Sequence, residues 1–146
     1  MFNFLKKKEE NPVAAVFSGL SSNQKMSVMN LLLSIAVCDR AQGNDAKEMQ
    51  YLNSYLKILD VRSDRCMAYL ETGGQERIIS DLKPLSLSQK EVLIVAAFEM
   101  ITCDGSPNDT ELGFAGDIFE KLGIDPDKFV ETIHKTQVIM KKFKRQ

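Results

Sequence analysis

Residues 23–39, NQKMSVMNLLLSIAVCD, and residues 88–104, SQKEVLIVAAFEMITCD, decide how this chain folds. Each starts on a polar residue followed by Gln-Lys, runs through a long apolar stretch and closes on Cys-Asp, and the two are offset by 65 positions. In the first, Met26, Met29, Leu32 or Leu33, Ala36 and Val37 fall at the spacing of a helix face, interrupted by Asn30 and Ser34. A helix this apolar is buried over most of its circumference. In the second, Glu99 interrupts the apolar run from Val92 to Cys103 at the position that Ser34 holds in the first. Both runs are well short of the ~20 residues a membrane-spanning helix requires, so they read as core helices.

Working outward, the loop from Asp39 to Asn44 carries Gly43 and ends the first core helix. Asp45 opens a helix with an apolar face of Met49, Leu52, Tyr55, Leu56 and Leu59. Ser63 is predicted to cap the next, which ends at Gly73-Gly74, and a short helix follows from Gln75 to Leu82 before Pro84. Ser88 is predicted to cap the second core helix. Asn108 caps another that stops at Gly123, and Asp125-Pro126 starts a last one running toward Phe143. Near the start, Asn11-Pro12 opens a short helix ending near Gly19.

Downstream of the core helices the repeat continues at an offset of 63, aligning Asp45, Glu48, Leu59, Val61, Asp64 and Leu70 with Asn108, Glu111, Leu122, Ile124, Asp127 and Ile133. No alternating strand pattern of useful length occurs. The expected fold is therefore all-α: one helical bundle of two pseudo-twofold-related repeats, about 23–72 and 88–135, whose central helices bury against each other. The domain occupies 23–146, preceded by an arm and short helix at 1–22.

Composition narrows the class. At 146 residues the chain is one domain's length, enough to bury about two-thirds of its unfolded surface without disulfides. Hydrophobic residues at 44%, charged residues at 27% and a net charge of -1 exclude disorder and give no global basic field, so no specific nucleic-acid partner is expected. Cys38, Cys66 and Cys103 are an odd count without a C-x-x-C pair, as befits free thiols in a reducing cytoplasm. His134 is the single histidine, which leaves a zinc site or a His-based catalytic arrangement short of residues. Glu9 and Glu10 ahead of the apolar run Pro12 to Leu20 argue against a signal peptide.

The arm MFNFLKKKEEN joins apolar residues to a lysine cluster, so it reads either as a mobile tail or as a weak contact to the inner face of a membrane. Lys141, Lys142, Lys144 and Arg145 around Phe143 read as a cationic helix end that complements the dipole, with contact to nucleic acid or anionic lipid as the alternative. Glu99 is expected at the edge of its helix; the alternatives are pairing with Lys25 or Lys90, protonation, or a role as catalytic acid, for which the sequence identifies no second perturbed group beside it.

The segment Ile101-Thr102-Cys103-Asp104-Gly105, with Glu111 seven residues after the Asp and Leu122-Gly123-Ile124 beyond, resembles the signature of the TerB-like family, the tellurite-resistance protein B group and its relatives. The resemblance extends over about 23–135. The first half departs from the pattern, with Arg40 where the family has Gly and a loop from Asp39 to Glu48 two residues longer. The resemblance implies a compact α-helical module linked to stress responses and to protein partners, with an acidic region regarded as a cation-binding surface. Analogy of this kind transfers a scaffold more securely than an activity.

Asp39 and Asp104 follow the C-terminal ends of the core helices, where the macrodipole disfavours a carboxylate. One reading makes Asp39, Glu48, Asp104 and Glu111 hard oxygen ligands for Ca²⁺ or Mg²⁺, although neither loop supplies an EF-hand series. In the other, Asp45 with Glu48 and Asn108 with Glu111 form capping boxes, and the two aspartates shape the turns. The leading expectation is a non-enzymatic stress-response adaptor with protein partners, a possible divalent cation and no organic cofactor. The alternatives are a metal-assisted hydrolase using the same carboxylates, which lacks a recognisable phosphate cradle or base, or a purely structural interaction module.

Overall fold

The computed structural model describes residues 12–38, 46–103 and 109–145, with side chains for 15–38, 46–103 and 109–139. The N-terminal arm, the expected caps at Asn11, Asp45 and Asn108, and the side chains of the basic C-terminal cluster lie outside these described residues. Among them are the helices α1 (Pro12–Phe17), α2 (Ser22–Val37), α3 (Ala46–Leu59), α4 (Ser63–Leu82), α5 (Leu87–Ile101), α6 (Asp109–Lys121) and α7 (Pro126–Arg145), and no strand. The chain is all-α. No helix among the described residues is long and apolar enough to cross a membrane.

The two core helices begin alike. Ser21 Oγ accepts from Gln24 N at 3.1 Å while Gln24 Oε1 accepts from Ser21 N at 3.0 Å. Sixty-five residues on, Ser86 and Gln89 exchange the same two bonds at 3.1 and 2.9 Å. These reciprocal boxes satisfy otherwise orphaned N–H groups. Leu20 and Leu85, each just before its cap, are buried, and each donates its N–H back to the end of the preceding helix, at Phe17 and Leu82.

The cap of α5 is thus Ser86 and not Ser88. Leu85 must be buried immediately after the Pro84 turn, so the chain enters the helix two residues earlier than expected. Ser63 is likewise no cap: it is the first helical residue of α4, whose N-cap position holds Arg62 without a side-chain cap bond.

Around these ends the packing follows the apolar faces. Val28, Leu31, Leu32 and Ile35 of α2 and Leu93, Ile94, Ala97 and Met100 of α5 are fully buried or nearly so, and the two helices pack on each other. Each also lies along the last helix of its own half, α2 on α4 and α5 on α7, while α3 and α6 each touch both central helices. Complete burial of such side chains contributes about 1.5–3 kcal/mol apiece.

Within α4 the backbone leaves the helix at Gly74, whose φ of 60° and ψ of -158° suit only glycine. The expected division near Gly73-Gly74 is therefore present as a kink. Side chains brace it: the Tyr69 hydroxyl donates to Asp81 at 2.6 Å, the Arg77 guanidinium lies 4.6 Å from the Tyr69 ring centroid, and Ser27 of α2 donates to Asp81 at 2.7 Å.

α3 and α6 also end alike. Val61 N–H bonds Leu56 O and Asp60 N–H bonds Lys57 O, while Ile124 N–H bonds Phe119 O and Gly123 N–H bonds Glu120 O. Both are Schellman ends, which place one residue in the left-handed region. That residue is Asp60, at φ 56°, in the first half and Gly123, at φ 94°, in the second.

Candidate functional site

Of the four expected cation ligands, Asp39 and Asp104 lie outside the described residues. Glu48 and Glu111 are in the first turns of α3 and α6, where a carboxylate is favoured by the helix dipole. Glu48 is partly buried, whereas Glu111 is only 3% exposed. Helices α3 and α6 are linked through the α2 and α5 pair that both of them touch. Among the described residues, no three His, Cys, Asp or Glu side chains gather into a group able to hold a metal. His134 is exposed on α7.

A second ionisable group is inside the molecule. Glu99 is 3% exposed, and neither of its carboxyl oxygens has a hydrogen-bond partner among the described residues. The expected edge position is therefore wrong: the carboxyl is in the interior of α5's buried surface, and Lys90, one of its expected partners, donates to the Leu122 carbonyl at 2.7 Å instead. Burial raises its pKa from 4.5 to about 8, so at neutral pH it is mostly the uncharged acid. Tyr51 of α3 is nearby, its hydroxyl donating to Ala96 O at 2.9 Å and its ring tilted on Tyr55 at 5.1 Å. Burial first, then Tyr55 and Glu99, holds the Tyr51 phenol well above its usual range. Glu99, Tyr51 and Tyr55 are all enclosed, at 3%, 3% and 1% exposure.

A different feature opens to solvent. Between α2, α3 and α4 lies a groove of about 260 Å³ with Met29, Leu33, Leu52 and Leu56 in its lining and Met49 and Met67 at its rim. Met49, expected on the buried face of its helix, is 47% exposed, and Met67 is 55% exposed. None of the lining side chains is charged. Cys66 also lines the groove, but burial, and then the neighbouring Asp64, pushes its thiol up, away from the thiolate a nucleophile requires. Asn30, Asn53 and Ser63 are the polar residues of the lining. Asn30 is 1% exposed: its Nδ2 donates to the Cys66 carbonyl at 3.0 Å, and its Oδ1, itself buried, has no partner among the described residues. The sequence signalled Asn30 as an interruption of the apolar face of α2, with no indication that half of its amide would stay unpaired.

No known protein family, no characterised protein and no solved structure matches this chain.

Proposed function

We propose that the chain is a non-enzymatic helical module of the TerB-like kind, an adaptor in a cytoplasmic stress response that binds protein partners and carries a divalent cation at its acidic end. In this reading the scaffold is two helical repeats, about 23–72 and 88–135, related by a pseudo-twofold axis between α2 and α5. The matched capping boxes, the matched Schellman ends and the parallel pairings of α2 with α4 and α5 with α7 support it.

The cation reading rests on one observation: Glu48 and Glu111, 63 positions apart, both occupy the first turn of the helix that follows a capped core helix. Carboxylates in that place accept from backbone N–H groups, carry ligand oxygens, or do both. With Asp39 and Asp104 they make an oxygen-rich donor set of the kind Ca²⁺ or Mg²⁺ prefers.

Titration calorimetry with each ion, alongside thermal melts, tests this reading. Binding raises Tm by mass action, and Asp104→Asn abolishes the increase while leaving the helical signal intact. No heat of binding, combined with a loss of ~1 kcal/mol in Glu111→Ala whether or not the ion is present, would leave capping as the whole role of these residues.

A further inference from the structure

The chain's charge is divided unevenly along its length. All 20 acidic residues lie within 1–131, whereas residues 132–146 hold five of the 19 basic residues and no acid. Of these five, Lys135 is already paired, its Nζ 3.0 Å from Glu131. The other four, Lys141, Lys142, Lys144 and Arg145, crowd into the last turns of α7, which stays helical to Arg145. A helix C-terminus carries the equivalent of about half a negative charge, so four cations exceed what the dipole calls for.

The helix has two rows that matter. Phe129, Thr132, Ile133 and Thr136 are buried or half-buried, the row by which α7 packs on the core, and helical spacing continues it through positions 140 and 143. Val138 and Ile139 are off that row, 52% and 48% exposed. Positions 142 and 145, four and seven beyond Val138, share its row and are occupied by Lys142 and Arg145. Two exposed aliphatic residues are thus followed along one row by two cations.

This combination narrows the partner. Nucleic acid supplies phosphates for the cations, but Val138 and Ile139 have no flat ring on which a base could stack and would stay in water. An apolar protein groove would cover the aliphatic pair and leave the basic cluster without counter-charge. A bilayer interface containing anionic lipid takes both: aliphatic side chains enter the acyl boundary while long basic side chains keep their charges among the phosphates. It demands no shape match, which suits Lys141 and Lys144, whose positions are off the Val138 row. Such contact is peripheral, since no helix among the described residues is long and apolar enough to cross.

We propose that the C-terminal turns of α7 bind an anionic lipid surface, with Val138 and Ile139 entering the interface and Lys141, Lys142, Lys144 and Arg145 at the level of the lipid phosphates. The proposal is independent of the cation reading.

The test is co-sedimentation of the full chain with vesicles of phosphatidylcholine alone, and with vesicles of phosphatidylcholine and phosphatidylglycerol mixed two to one. Binding is expected to the mixed vesicles, weaker in high salt, and not to phosphatidylcholine alone. Each basic residue near such a surface is worth about fivefold, so Lys142→Gln combined with Lys144→Gln is expected to weaken binding about 25-fold. Val138→Asn combined with Ile139→Asn is expected to weaken it about tenfold while circular dichroism matches wild type, because both positions are exposed.

No binding to the mixed vesicles would overturn the proposal. So would binding undiminished by either double variant; its loss in Lys6→Gln, Lys7→Gln and Lys8→Gln together would place the contact on the N-terminal arm instead. Sensitivity to the lysine pair without any to Val138→Asn and Ile139→Asn would overturn the insertion of the aliphatic residues. A single-stranded oligonucleotide, bound more tightly than the vesicles at the same salt and indifferent to that aliphatic pair, would replace the lipid with nucleic acid.

Discussion

The helices α2 and α5 start from the same chemistry and diverge in the interior. Their capping boxes, Ser21 with Gln24 and Ser86 with Gln89, have nearly the same bond lengths. Thirteen residues past each cap, at equivalent places, α2 has Ser34 and α5 has Glu99. The Ser34 hydroxyl is short enough to donate to the Asn30 carbonyl in its own helix, at 2.7 Å. The Glu99 carboxyl has no hydrogen-bond partner among the described residues, so burial leaves it mostly protonated at neutral pH. The difference teaches that a cap is satisfied locally wherever its four residues occur, whereas an interior polar group depends on what the rest of the fold brings to it.

The largest expected effect breaks this comparison at Glu99. The unfolded carboxyl ionises near 4.5 and the folded one near 8, so between those values the folded chain holds a proton that the unfolded chain has released. Stability from this group is therefore complete below pH 4.5 and falls as pH rises, by about 3 kcal/mol at pH 7. Urea melts across that range should show the fall in wild type, and Glu99→Gln should flatten it; parallel pH profiles for the two proteins would mean that the carboxyl ionises freely in the fold. Ser34→Ala, at the matching place in α2, is expected to leave the pH profile unchanged.

A smaller effect sharpens the comparison at the Schellman ends. Gly123→Ala places a Cβ in the left-handed region and is expected to cost about 1–2 kcal/mol by chemical denaturation. Asp60→Gly relieves the same constraint in the first half and is expected to gain about 0.5 kcal/mol, because Asp tolerates that region better than most residues. A loss of stability in Asp60→Gly would show that the aspartate side chain contributes more than its backbone costs.

The smallest difference should be found at the caps. Ser21→Ala and Ser86→Ala each remove one side-chain acceptor from the same reciprocal box, so each is expected to cost ~1 kcal/mol, and the two losses should agree within about 0.5 kcal/mol. Thermal melts of the two single variants compare them directly. Unequal losses would locate a tertiary contribution at whichever end suffers more.

Much of the architecture was legible in the sequence because its signals are local. Apolar residues at helical spacing placed α2, α3 and α5, Gly73-Gly74 marked the break in α4, and Gly123 marked the end of α6. The start of α5 was misplaced by two residues because Ser86 with Gln89 and Ser88 with Glu91 fit the same capping pattern. Only the burial of Leu85 separates them. Of the candidate cation site, sequence position was enough to put Glu48 and Glu111 in first helical turns, since that requires knowing only where a helix begins.

What the sequence by itself determined, then, is the helical class and the approximate extent of the helices, set by residues within about one turn of each other. The tertiary structure alone decided that Glu99 is enclosed and mostly neutral, that Met49 faces a groove instead of the core, and that one half of the Asn30 amide is bonded to Cys66 while the other is buried without a partner among the described residues. Each of these depends on residues far away in the chain, because burial and hydrogen-bond satisfaction are properties of the neighbours a fold assembles, which no local spacing encodes.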